Sequence, residues 1–145
     1  MTGHFSMSPL DECTLVCVPP DRVPRVWDKV SGWIEDAMKR GRMGDFEKLK
    51  ENLFSGESLL WVATDGKGIA AAAVTELDVA NGEKFCTLTA CGGAELPRWI
   101  DLIGGIEGFA RDEGCHSMRI KGRNGWSRVL PDYMVAGVIL EKELN

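Results

Sequence analysis

The segment with the clearest chemical potential runs from Thr87-Leu88-Thr89-Ala90-Cys91 through Gly92-Gly93-Ala94 into Glu95-Leu96-Pro97-Arg98-Trp99. Small residues at 92–94 let a backbone turn sharply and expose its N–H groups, and Pro97 suits the first turn of a helix. The first turn of a helix has unpaired donors and a partial positive charge, so such a strand–turn–helix junction can hold a pyrophosphate without a catalytic side chain. A plain tight turn is the alternative that the same residues satisfy.

Other residues carry proton chemistry. Glu76 and Asp78 fall on one face of a strand, because strand side chains alternate, and a carboxylate there can take a proton directly or through water. The same pair also suits a solvated hairpin end that discourages edge pairing. His116 titrates in a useful range, although a surface histidine beside a turn is the commoner occurrence. Cys91 precedes the expected helix N-terminus, where a thiol is acidified, yet no histidine has an obvious relation to it and burial is its ordinary fate. Tyr133, the single tyrosine, suits a core position with a bonded hydroxyl.

The elements that must position these groups follow from periodicity and punctuation. Residues 14–18 (TLVCV) read as a strand closed by Pro19-Pro20, and Asp21 as the cap of a helix whose apolar stripe includes Val23, Trp27, Val30 and Ile34. A second helix starts at Asp45 and stops at Gly56. Three antiparallel strands follow over 59–63, 69–79 and 84–91, the last two joined by Asn81-Gly82, a strong hairpin signal. A long helix carries Trp99, Ile103, Ile106 and Ala110, with Gly104, Gly105 and Gly108 expected to allow close approach to the sheet. A strand at 117–121, a short helix at 126–130 and a final strand at 135–144 complete the order β-α-α-β-β-β-α-β-α-β. This is one mixed α/β domain over 1–145.

Bulk properties narrow the function. The net charge of −5 gives no support to general nucleic-acid binding. Locally, Arg111, Arg119, Lys121, Arg123 and Arg128 outnumber nearby acids, which suits an anionic ligand or a solvated surface. The five cysteines are scattered without C-x-x-C spacing, which predicts no metal site and suggests reduced thiols in a cytosolic protein. No apolar run approaches the ~20 residues of a membrane span.

The element order and the Thr89-Ala90-Cys91-Gly92-Gly93-Ala94 segment resemble the GNAT (GCN5-related N-acetyltransferase) superfamily over nearly the whole chain. That family has Arg/Gln-x-x-Gly-x-Gly/Ala here; Gly92 and Ala94 match, Thr89 stands at the Arg/Gln position, and Glu95 adds a carboxylate that Arg98 is placed to offset. Asn124 and Tyr133-x-x-x-Gly137 resemble its C-terminal signature, with Val138 in place of the usual Phe, and resemble small phage- and prophage-encoded members. The resemblance implies acetyl-CoA as co-substrate, held by Gly92, Gly93, Ala94, Arg98 and Asn124. It also implies direct acyl transfer to a primary amine, with Tyr133 protonating the thiolate and Glu76 as the candidate base. Two alternatives stay open: an inactive GNAT-fold binding or assembly protein, and a nucleic-acid-directed one using Arg119, Lys121, Arg123, Arg128 and Trp126. Trp27, Trp33 and Trp126, in helices with polar neighbours, further predict a homodimer interface.

Overall fold

A computed structural model describes residues 14–41, 44–94, 96–121 and 126–144, with the backbone alone at 96–99, 101 and 126–127. The chain forms β1 (Thr14–Val18), α1 (Val23–Gly41), α2 (Phe46–Ser55), β2 (Leu59–Asp65), β3 (Gly68–Ala80), β4 (Glu83–Gly93), α3 (Leu96–Asp112), β5 (Ser117–Ile120) and α4 (Trp126–Val129). The strands make one sheet in the order β1-β2-β3-β4-β5. Neighbours are antiparallel except β4 and β5, which run parallel. This is the expected α/β architecture.

Local chemistry explains most boundaries. Asp45 caps α2 by accepting from the Glu47 and Lys48 N–H groups, and Gly56 ends the helix at φ 89°. Asn81 (φ 55°) and Gly82 (φ 80°) take the left-handed pair of conformations that a two-residue hairpin needs. Asp21, expected as a cap, instead lies within a 3-10 turn at Pro20–Arg22 that leads directly into α1.

Both faces of the sheet are covered, so the central strands read as nearly continuous apolar runs. Leu60, Val62, Ala72 and Val74 pack with Val30 and Ile34 of α1 and with Leu49 and Leu53 of α2. The alternate residues Trp61, Ala63, Ala71 and Ala73 pack with Leu102, Ile103, Ile106 and Ala110 of α3. The buried Trp61 indole satisfies its N–H by donating to Thr75 Oγ1 at 2.9 Å.

The register of β4 slips once. Thr75 pairs with Leu88 but Val74 pairs with Ala90, so Thr89 is an extra residue, a β-bulge. Consequently Leu88 faces α3 while Ala90 faces α1, although two residues apart they would otherwise share a face.

Four expectations need correction. Gly92 and Gly93 do not form a loop; they are the last residues of β4, paired with Ala72 and Ala71. A Cβ on Gly93 would lie 2.6 Å from the Ala70 carbonyl oxygen and 2.8 Å from Ala71 Cα, and one on Gly92 would press on Trp33 at 3.0 Å. The glycines therefore permit close packing. The final strand expected at 135–144 is not formed either: residues 134–144 have no regular secondary structure and leave Leu140 92% exposed. Trp33, expected as a free interface residue, packs half-buried against the α1-side core, and Trp27 is buried within it. Of the α3 glycines, Gly105 abuts Leu15, whereas a Cβ on Gly104 or Gly108 would meet open space.

Gly93→Ala should therefore cost about 1–3 kcal/mol, because rigid backbone must move. Gly104→Ala should add about 0.5–1 kcal/mol by restricting the unfolded chain. Urea unfolding of both variants checks the contrast.

The buried thiols give a second prediction. Burial pushes Cys86 up to about 11 and Cys91 up to about 12. A folded-state pKa above the unfolded one means stability that is complete below the unfolded value and is lost as pH rises through the folded value. Stability should thus fall from about pH 9 to about pH 12, by up to about 1.4 kcal/mol per pH unit for each thiol. Urea midpoints across that range should fall less steeply in Cys91→Ala than in the parent.

Candidate active site

The site is organised by the ending of β5. Pairing with β4 runs from Phe85 opposite Ser117 to Leu88 opposite Ile120, and the Lys121 N–H closes the ladder on the Leu88 carbonyl at 3.0 Å. Beyond Leu88, β4 continues to Gly93 with no described residue of β5 beside it. The Ala94 N–H donates to the Ala70 carbonyl at 3.0 Å. Antiparallel alternation then turns the backbone groups of Gly93 and Cys91 away from β3, toward the side where β5 has stopped. The N-terminus of α3 opens immediately after, at Leu96.

This end of β4 thus offers outward N–H groups and unpaired helix donors along one opening, a combination that favours an elongated anion. Gly92, Gly93 and Ala94 contribute through their backbones. Arg98 lies in the first turn of α3, with its side chain outside the described residues, as are Glu95 and Asn124.

The bulge residue Thr89 faces a cavity of about 170 Å³ on the α1/α2 side of the sheet. Its walls include Met38 from α1, Asn52 from α2, Glu76 from β3, and Lys121 just after β5. Thr89 Oγ1 donates to the Val74 carbonyl at 3.2 Å, fixing the bulge. Glu76 is half-buried and accepts a long hydrogen bond of 3.4 Å from Ser58 Oγ. Ser58 itself is buried, a partner that sequence reading did not identify. Asp78, two residues along β3, is exposed and does not line this cavity. Of the expected carboxylates, Glu76 is the one brought to an enclosed space beside the end of β5.

Tyr133 lies elsewhere. Its hydroxyl donates to Glu107 Oε2 of α3 at 2.5 Å, and its N–H donates to the Leu130 carbonyl at 3.0 Å. The ring packs with the α3-side core, on the face opposite the Glu76 cavity. Burial first, then the Glu107 carboxylate that accepts its proton, raises the phenol's pKa well above the ordinary value. The structure therefore does not bring Tyr133 and Glu76 together. Glu107 carried no sequence motif; its position toward Tyr133 depends on how the chain returns after α4.

The remaining candidates resolve simply. Burial raises the Cys91 thiol, opposite to what a nucleophile beside a helix N-terminus requires. His116 is exposed, 3.4 Å from Glu83 Oε2 across the sheet end. Arg119 lies over the Phe85 ring at 3.8 Å and lines a groove beside β5, whereas Lys121 lines the Glu76 cavity. The basic cluster is thus divided between two surfaces. The Trp126 side chain and Arg123 lie outside the described residues.

No protein-family model matches the sequence, and no curated protein matches it. Solved structures do match in shape. An aminoglycoside acetyltransferase from an uncultured soil metagenomic sample, in complex with sisomicin, superposes with TM-score 0.68 at 11% identity, covering 93% of this chain and 98% of its own. A putative acetyl transferase from Pyrococcus furiosus gives 0.66 at 15% identity, with 92% and 100% covered. A GNAT family acetyltransferase from Staphylococcus aureus gives 0.64 at 11% identity, with 92% and 99% covered. At such low identity these likenesses establish architecture, and they do so over almost the whole of each chain. The protein has the fold of the GNAT acetyltransferases.

Proposed function

We propose that this protein is an acetyl-CoA-dependent N-acetyltransferase that transfers the acetyl group directly to a primary amine. The observation that supports the reading is the end of the described β4–β5 pairing at Leu88, with outward backbone groups of β4 beyond it and the Glu76 cavity nearby. From Gly93 back to Thr87, the partner of Glu76, the strand runs about 20 Å at ~3.3 Å per residue. An extended pantetheine arm covers a distance of that order, so a pyrophosphate at the α3 N-terminus is compatible with a thioester near Glu76.

When bound, acetyl-CoA supplies an activated acetyl carbon and a thiolate leaving group. The chain's own contributions are separable. The outward N–H groups of Cys91 and Gly93, the α3 N-terminus and Arg98 hold the coenzyme's anionic end and arm. The expected contact from Asn124 belongs to the same proposal. Glu76, held by Ser58, accepts the proton that the attacking amine must lose, directly or through a water, and its negative charge favours a cationic acceptor entering the cavity. Protonation of the departing thiolate is the role that family resemblance gives Tyr133. With its hydroxyl donated to Glu107, the tyrosine instead braces the chain after α4 against α3.

The acceptor is not specified by these contacts. Sisomicin belongs to the soil enzyme's complex. For this chain the supported class is a small primary amine able to enter a cavity bordered by Glu76, Asp45, Lys48 and Lys121. The divided basic cluster gives no comparable support to a nucleic-acid partner.

Calorimetric titration with acetyl-CoA should show micromolar binding that weakens about tenfold in Arg98→Ala; absence of binding at millimolar ligand would leave a shared fold without the activity. Glu76→Gln should bind acetyl-CoA normally while kcat on an accepted amine falls about 10²- to 10⁴-fold. Tyr133→Phe should lower stability by about 1–3 kcal/mol through loss of a partly buried bond to a carboxylate, with kcat changed less than about threefold. A kcat loss of a hundredfold or more at unchanged stability would instead assign Tyr133 as the acid.

A further inference from the structure

The cavity beside Glu76 holds more charge than proton transfer requires. Glu76 reaches it from β3, Lys121 from just beyond β5, and Asp45 and Lys48 from the start of α2. Asp45 is already committed: its Oδ1 accepts from the Glu47 and Lys48 N–H groups, at the positive end of α2. Glu76 is half-buried and carries one long bond of 3.4 Å, from Ser58 Oγ to Oε1, while Oε2 accepts none among the described residues. One carboxylate therefore remains to meet a ligand.

The cations are freer. Lys48 lies 3.8 Å from Glu51 with the two side chains 66% and 71% exposed, an ion pair of little strength. Lys121 spends its backbone N–H on the Leu88 carbonyl, while its ammonium has no ion-pair partner among the described residues. Glu76 and Lys121 share the cavity yet do not pair with each other. β4 runs between β3 and β5, so the two backbones stand about two strand spacings apart, ~10 Å. Opposite charges thus enter one space from the two sides of β4. A plain amine fits this arrangement poorly, because its ammonium finds Glu76 but is repelled by two unmatched lysines. An amine that also carries an anion satisfies both signs. The cavity holds about 170 Å³, below the ~300–1,000 Å³ of pockets that enclose drug-sized ligands, so the molecule must be small.

We propose that the acceptor is a small zwitterion, a primary amine with a carboxylate or phosphate a few bonds away. Its amine meets Glu76, and its anion meets Lys121 with help from Lys48. This rests on the acetyltransferase reading and narrows its substrate class. In net terms the acceptor's ammonium becomes an amide, and the acetyl carbon exchanges its bond to sulfur for one to nitrogen. The two protons that nitrogen releases go to the leaving sulfur and to solvent. Lys121 takes no part in that exchange; it selects which amine is held beside Glu76.

Matched acceptors test the proposal: glycine, alanine and β-alanine against their carboxamides, and phosphoethanolamine against ethanolamine, read by thiol release and product mass. The anionic member of at least one set should be used about tenfold better in kcat/KM than its neutral counterpart, and which set responds separates carboxylate from phosphate. Lys121→Gln should cut that ratio at least threefold, through KM, and adding Lys48→Gln should bring it close to parity, with far-UV circular dichroism confirming that both variants fold. Neutral amines used as well as the anionic ones would overturn the proposal and leave acetyl transfer standing, as would a preference unmoved in the double variant. Should nothing be acetylated, NMR titration of the amides around Glu76 and Thr89 with the same compounds decides. Preferential binding of the anionic member, weakened by Lys121→Gln, would support the zwitterion site and overturn acetyl transfer; equal or absent binding would overturn the site itself.

Discussion

One extra residue in β4 governs the geometry of this molecule. Were the alternation regular through Thr89, Leu88 and Ala90 would face the same side of the sheet. With the bulge, Cys86 and Leu88 before it face α3, while after it Ala90 faces α1 and Cys91 takes the α3 side. The reversal occurs at the residue where β5 stops pairing. A bulge also increases local twist, and this one falls where the described pairing of β4 with β5 ends. The Thr89 hydroxyl bonds the Val74 carbonyl across the irregular step, meeting part of the hydrogen-bonding demand of the interrupted ladder.

That opening depends on tight packing beside it. Among the described residues the end of β4 pairs with β3 alone, and there Gly93 approaches the Ala70–Ala71 backbone more closely than any side chain allows. Gly92 is held less tightly, where a Cβ would meet Trp33 of α1 at 3.0 Å. The alanine run of β3 completes the arrangement, because small side chains on both faces let α1 and α3 sit close to the strand that must carry the opening. The glycines that suggested a phosphate loop therefore act one step earlier. They fix the position of a strand whose backbone donors face the gap, and the helix N-terminus completes the anionic site in the proposed reaction.

What could be read from sequence divides along physical lines. The α2 cap at Asp45, its end at Gly56 and the Asn81-Gly82 hairpin are local events, determined by residues within a turn of one another, and each took the expected form. The two-sided sheet was legible because its apolar periods changed from helical to strand spacing. The bulge was not, since Thr89 looks like any strand threonine until its partner strand is known. Tyr133 was placed by spacing to Gly137, but the position of its hydroxyl depends on Glu107, far away in sequence and brought near by the return of the chain beside α3. The strand expected at 135–144 did not form: the run is apolar, but residues 134–144 pair with no described strand and have no regular secondary structure.

The Thr89 substitution then has a consequence for how a coenzyme would be held. A long Arg or Gln at this position would bring a side-chain donor to the ligand. The threonine spends its hydroxyl on the bulge and leaves the neighbouring backbone to bind. Backbone N–H groups on a strand flanked by close-packed glycines are rigid, so they lose little freedom on binding. They carry no formal charge, however, and a pyrophosphate held by them and a helix N-terminus would draw more heavily on a cation such as Arg98, in the first turn of α3. In the proposed reading, affinity for acetyl-CoA is thus concentrated on Arg98, while the position of the thioester is set by the strand.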